Sequence, residues 1–361
     1  MNIVFAYADS PAEWNSSEWR CAVPARAINQ TGRHSAQVVS IADFAENLAP
    51  AQAMCAQADI IVVQRNLIGP VLSAIQHWQA RDKVVIADFD DAYDLIPSNH
   101  PSYLYWGQGL RIQPQKDGRA AWVKIDPPPM VQFKWGLRLV HAATVPSKRL
   151  AGDWQAYAEM HHLPNFIDLE KYQNITAVTH EGLIIGWGGS TSHLQSFNGS
   201  GIMTALKRIC RARRQVKVMV CGKDRRIFEQ LPLPPEQKIY HPWVPYPEWP
   251  QVLAKFDIGL APLHGPYDER RSWIKVLEYM VMKIPWVASE GPAYNELRPY
   301  GWLVKNTASA WERVLMDMVD HLDDYRAEAA REPYLFGLGQ SVDENIDKVI
   351  ATYAALVQRA S

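Results

Sequence analysis

SWIKVLEYMVMKIPWVAS, residues 272–289, reads as an amphipathic helix that runs straight into a short apolar strand. Ile274, Leu277 and Val281 recur at helical spacing, and IPWVAS (284–289) follows at once. A helix feeding a buried strand is the unit from which parallel sheets are built. Similar apolar runs, each closed by Gly, Asp, Pro or Ser, recur along the chain. They are NIVFAYAD (2–9), ADIIVVQR (58–65), KVVIADFDD (83–91), AATVPS (142–147), LIIGWGG (183–189), VKVMVCGKD (216–224) and FDIGLAPL (256–263). With helical patterns between them, they predict an α/β chain with two sets of four buried parallel strands.

The sets fall on either side of LPNFIDLEKYQNITAVTHEG (163–182), a polar stretch without period that reads as a linker. The expected organisation is a Rossmann-like domain over 1–170 and a second over 182–340. A C-terminal helix over 341–361 would cross back to the first. Ligands of open α/β sheets bind at the carboxyl ends of the strands, so two such domains facing across a cleft would share a ligand site there. Residues 97–130, aromatic and Pro-containing, show no clear pattern; a functional loop and an inserted meander or lid both fit them.

Bulk properties narrow the function. Among 361 residues, 37 Lys and Arg balance 38 Asp and Glu, which argues against nucleic-acid binding by bulk charge. Cys21, Cys55, Cys210 and Cys221 are scattered and form no zinc spacing. No basic n-region opens the sequence, and no apolar run approaches the roughly 20 residues of a membrane span. The expectation is a cytoplasmic protein without a transmembrane segment, peripheral membrane contact remaining open.

The start of the 272–289 helix carries unusual charge. Arg270, Arg271 and Lys275 gather where the helix dipole already makes the end positive. With Ser272 as the cap, Arg271, Lys275 and Glu278 share one face at i, i+4, i+7. An anion would relieve the excess, a diphosphate being the obvious candidate, and Glu278 would accept from vicinal hydroxyls. An ordinary solvated salt-bridge face is the alternative.

SWIKVLEYMVMKIPWVASEGPAYNEL (272–297) resembles the donor-site signature of the GT-B glycosyltransferases of the family 4 type, approximately K-x-x-E-[AY]-M followed by P-V-V-[AG]-[ST]. LIIGWGGSTSH, VKVMVCGKD, FDIGLAPL and YGWLVKNTASAWERVL resemble the family's other donor-domain segments in order. SSEWRCAVPARAIN (16–29), VVIADFDDAYDLIP (84–97) and VPSKRLAGDW…LPNFID (145–168) resemble a subgroup with a D-x-D-D run after a central strand. The resemblance implies the GT-B fold, a nucleotide-diphosphate sugar donor, no metal or other cofactor, and retention at the anomeric carbon. Glu278 matches the last glutamate of the E-x7-E motif, a ribose-binding position. The first glutamate falls at Arg270, so Asp268 or Glu269 is the substitute for the sugar contact. The family's diphosphate-binding Arg/Lys pair is missing from GGSTSHLQSF, leaving Gly188, Gly189 and Ser190 to offer backbone and hydroxyl, and Arg271 and Lys275 to offer charge. Lys223 and the loop residues Trp243 and Val244 complete the implied donor set.

DFDDAYD places Asp88, Asp90, Asp91 and Asp94 after a strand. Acceptor binding or general-base work, a turn of Asp residues, and a metal site all fit this run. His100 is a candidate contact to the transferred sugar. The combined expectation is a hexosyl- or pentosyltransferase acting on a glycan, lipid, protein, small-molecule or modified-DNA hydroxyl. A same-fold epimerase or phosphorylase and a non-catalytic nucleotide-sugar-binding module are its rivals.

Overall fold

A computed structural model describes residues 1–10, 14–114 and 119–360. Two compact units emerge: residues 1–98, 102–166 and 342–361 form one, and residues 99–101 with 167–341 form the other.

The first unit is built on six parallel strands. They are β1 (Asn2–Tyr7), β2 (Ser35–Ser40), β3 (Ile60–Gln64), β4 (Val84–Asp88), β7 (Ala143–Val145) and β8 (Met160–His162), ordered β2-β1-β3-β4-β7-β8. Between β4 and β7 the chain makes a separate antiparallel ribbon, β5 (Leu110–Pro114) with β6 (Ala120–Lys124). The stretch 97–130, which shows no pattern in sequence, thus holds a β-ribbon and a short helix, Tyr103–Trp106.

The strands β3, β4 and β7 are buried along their whole length. One face of the sheet is closed by the helix Val342–Ala360, whose Ile346, Val349, Ile350, Tyr353 and Leu356 are buried with Ile3, Phe5, Val62 and Ile86. The Phe5 and Tyr353 rings meet edge to face at 5.9 Å.

The second unit repeats the plan with β9 (Leu183–Gly188), β10 (Val216–Gly222), β11 (Lys238–Pro242), β12 (Ile258–Ala261), β13 (Trp286–Ser289) and β14 (Trp302–Val304), in the order β11-β10-β9-β12-β13-β14. All pairings are parallel. Trp187 and Trp311 anchor its core beside Ile185, Val218 and Leu260.

The sheets have six strands each, not four. The eight runs read from sequence are the four inner strands of each sheet, and β2, β8, β11 and β14 are all edges. Of these edges β2, β8 and β11 show mixed or partial burial, and β8 and β14 are only three residues long.

Candidate functional site

The site in the second unit starts at the carboxyl end of β9. There the chain turns through Gly189 and Ser190, both exposed, into a single 3-10 turn over Thr191–His193. Gly188 has no room for a side chain, since a Cβ would lie 2.1 Å from the Trp249 ring. Three cations from three elements converge on this uncharged loop. Lys275 donates to the Gly188 carbonyl. Arg271 donates to the Ser192 hydroxyl at 3.0 Å. Arg226, the first residue of the short helix Arg226–Gln230 after β10, donates to the Thr191 hydroxyl at 3.0 Å and pairs with Asp224 at 2.9 Å.

The opposite wall follows β12. Asp268 is buried and gathers three groups: the Ser196 hydroxyl at 2.5 Å, the His264 amide at 3.0 Å and Arg271 Nε at 2.8 Å. Arg271 also lies over the Tyr267 ring, 4.8 Å from its centroid. Residues Asp268–Arg270 form a 3-10 turn, and Arg271 is extended (ψ 157°). The helix therefore begins at Ile274, not Ser272, and Ser272 is not its cap; Trp273 holds that position without a side-chain hydrogen bond. The expected i, i+4, i+7 face is corrected accordingly: Arg271 lies outside the helix, leaving Lys275 and Glu278 one turn apart within it. The charge excess also shrinks, because Arg271 pairs with Asp268, and Arg270 binds Glu269 at 3.3 Å and the Pro266 carbonyl at 2.8 Å.

Lys275 is the cation that ends on neutral groups, its ammonium 5.0 Å from the Trp187 ring centroid and bonded to a carbonyl. Burial lowers its pKa to about 8, against the opposing pull of Glu278. Burial lifts Glu278 to about 7, with Lys275 and the Tyr172 hydroxyl, 3.0 Å away, holding it down.

His100 counts with this unit. Its Nε2 lies 3.3 Å from the Tyr267 hydroxyl, and burial with the Arg271 charge lowers its pKa to about 4. His193 is pushed down by the same kinds of cause, burial first and then Arg271 and Lys275. Both imidazoles are neutral at physiological pH. Asp268 and Glu269 line an open pocket whose wall also includes Glu290, Gly291 and Tyr294. Lys223 sits 4.9 Å from the centroid of the Trp243 ring, and Trp243 and Val244 are half-buried after β11.

The first unit carries a second polar constellation at the carboxyl ends of β1, β3 and β4. Asp88 is 1% exposed; Arg20 holds both its oxygens at 2.6–3.2 Å and the Thr144 hydroxyl donates to it at 2.6 Å. Arg20 is fixed in turn by the Leu163 carbonyl and Asn165. Asp88 is thus held in a buried ion pair with Arg20. Asp90 and Asp91 are half-buried, and Asp94 is exposed. Arg65, with φ of 60°, bridges Asp9 at 3.1 Å and Asp90 at 3.9 Å. Burial, then the Asp91 and Asp9 charges, raise the Asp90 pKa against Arg65 and Arg20. Among the described residues no group of three His, Cys, Asp or Glu side chains is disposed to hold a metal ion.

Sequence reading missed Arg226, Ser192, Trp187 and Tyr172. Tyr172 lies in the polar stretch taken as a linker, and Arg226 lies 35 residues from the hydroxyl it binds. The available signal was Arg-Arg-Ile-Phe directly after the β10 turn, a basic pair at a strand's carboxyl end.

Residues 187–321 match the family described as Glycosyl transferases group 1. Comparison with curated proteins returns no match. Among solved structures, HepE from Anabaena, in complex with UDP and glucose, superposes with a TM-score of 0.66 over 98% of this chain and 99% of that one, at 12% identity. Sucrose-phosphate synthase from Thermosynechococcus elongatus gives 0.63 over 99% of each chain at 10% identity. A putative UDP-N-acetylglucosamine 2-epimerase from Listeria monocytogenes gives 0.57 over 99% and 97% at 9% identity. No helix among the described residues is long and apolar enough to cross a membrane. With two parallel six-stranded Rossmann-like sheets matching these neighbours, the chain has the GT-B fold, and its residues 187–321 match the model of the Glycosyl transferases group 1 family.

Proposed function

We propose that the chain transfers a sugar from a nucleotide-diphosphate sugar to an acceptor hydroxyl, with the second unit holding the donor. The observation that carries this reading is the convergence of Lys275, Arg271 and Arg226 on the Gly188–Ser192 loop beside an uncapped helix start. Cations and hydroxyls at one loop beside a helix start suit a diphosphate. Glu278, one turn deeper, is assigned to the ribose hydroxyls, and Trp243 and Val244 to the base. UDP in the HepE structures supports this choice of ligand class.

In this reading Lys275 and Arg271 stabilise the leaving diphosphate as its charge develops, an electrostatic contribution that needs no metal. The neutral His100 donates or accepts at the transferred sugar, and the pocket beside Asp268 and Glu269 receives that sugar. Retention at the anomeric carbon follows from the family resemblance. In the first unit, Asp90 and Asp91 are assigned to the acceptor hydroxyl, burial and the Asp91 and Asp9 charges raising the Asp90 pKa in the direction that suits a proton acceptor. Calorimetry with UDP on Lys275→Ala and Glu278→Ala proteins is the test. Affinities equal to the wild type would refute the donor-site assignment.

A non-catalytic nucleotide-sugar-binding module is favoured by one specific observation. Arg270, where the resembling family keeps a glutamate, is engaged with Glu269 and the Pro266 carbonyl. Assay across a broad acceptor panel separates the two: tight nucleotide-sugar binding without turnover supports the binding module, and a glycosylated product supports transfer.

A further inference from the structure

We propose that the β5–β6 ribbon of the first unit is a membrane-docking element that seats on an anionic lipid surface. The ribbon is two strands with no third, and such a ribbon gains little from its own pairing. Register places Ile112 directly opposite Trp122. The two side chains share a face and are 58% and 53% exposed. Five of the nine large apolar side chains exposed among the described residues fall between Leu104 and Trp135. They include both exposed tryptophans, Trp122 and Trp135, in a chain with fourteen.

Charge accompanies this apolar edge. Residues 101–150 hold eight Lys and Arg against two Asp, in a chain whose net charge is −1. Arg111, Arg119 and Lys124 are exposed on or beside the ribbon. The ribbon's base abuts the next helix, Pro129–Leu139: a Cβ on Gly109 would be 3.6 Å from Pro128 and Pro129. That helix exposes Val131, Trp135 and Arg138 at i, i+4, i+7. Tryptophan with an apolar neighbour and flanking cations is the composition of a membrane interface, where the indole sits at headgroup depth and Lys and Arg meet lipid phosphates. A second copy of the chain is a poorer occupant, because two-fold pairing would set these cations against each other.

The full chain would be co-sedimented with phosphatidylcholine vesicles, with and without phosphatidylglycerol. The wild type is expected to partition at least about tenfold more strongly onto the anionic vesicles, an advantage that added salt erases. Ile112→Glu/Trp122→Glu would lose this binding, and Arg111→Glu/Lys124→Glu would weaken it severalfold. Both should keep the wild-type melting temperature, since all four side chains are exposed. Leu335→Glu, a change at an equally exposed position on another element, should bind as the wild type does. Equal sedimentation of wild type and ribbon variants would overturn the proposal. So would a solution dimer that Trp122→Glu dissociates, which would make a second copy the occupant.

Discussion

The carboxyl edges of the two sheets handle charge in opposite ways. At the first, Arg20 and Asp88 neutralise each other inside the core, with Thr144, Asn165 and the Leu163 carbonyl taking up the remaining capacity. At the second, Lys275 ends on the Gly188 carbonyl and the Trp187 face, and Arg226 and Arg271 each reach past a carboxylate to a loop hydroxyl. The first arrangement is complete without a ligand. The second leaves the desolvated Lys275 ammonium beside a helix start that no side chain caps, and that asymmetry separates a structural ion pair from an anion site.

The largest effect expected is at the closed pair. Asp88→Ala strands a buried guanidinium and should cost about 3–5 kcal/mol of stability. Chemical denaturation should show this, while UDP affinity of the folded protein stays near wild type. A large loss of UDP affinity would instead show that the two edges are coupled. Next comes Lys275→Ala, which removes a charge-assisted contact and should weaken UDP by roughly 10- to 100-fold in calorimetry. The contrast between the edges breaks if its melting temperature falls as far as that of Asp88→Ala.

Smaller still is Arg226→Ala. Its guanidinium is solvent-exposed and reaches the site through Thr191, so a loss of about two- to fivefold is expected. An effect as large as that of Lys275 would place Arg226 on the ligand itself.

The finest test is a proton count. Lys275 is depressed to about 8, so its contribution to stability is present above its unfolded pKa and is lost as pH falls through 8. Glu278 is raised to about 7, so its contribution is present below its unfolded pKa and is lost as pH rises through 7. Between pH 7 and 8 both groups carry charge at a cost to the folded state. A bound diphosphate should raise the Lys275 pKa and draw in up to about half a proton at pH 8. Calorimetry of UDP binding in buffers of differing ionisation enthalpy measures it. Proton release on binding would contradict the assignment of Lys275.

The same contrast explains what the sequence discloses. Inner strands such as β3 and β9 must be apolar on both faces, so they stand out as continuous runs. Edge strands such as SAQVVS and KIYHP are half-solvated and blend into loops. Lys275 and Glu278 are legible because helical spacing joins them within one element and a family motif carries them. Arg226 and Tyr172 are not, since each meets its partner only after the sheet has formed, across 35 and 106 residues. The helix start shifted by two residues because Asp268 binds Ser196, the His264 amide and Arg271, holding the preceding segment in a 3-10 turn. No local pattern encodes that contact.

The helix Val342–Ala360 sets an order of assembly. Its Tyr353 and Leu356 belong to the core that holds Ile3 and Phe5. As the polypeptide emerges during synthesis, β1 must wait for residues made some 350 positions later, after every strand of the second unit has appeared. The second unit, complete by residue 341, is therefore expected to fold first, while the earlier-made sheet stays open on one face.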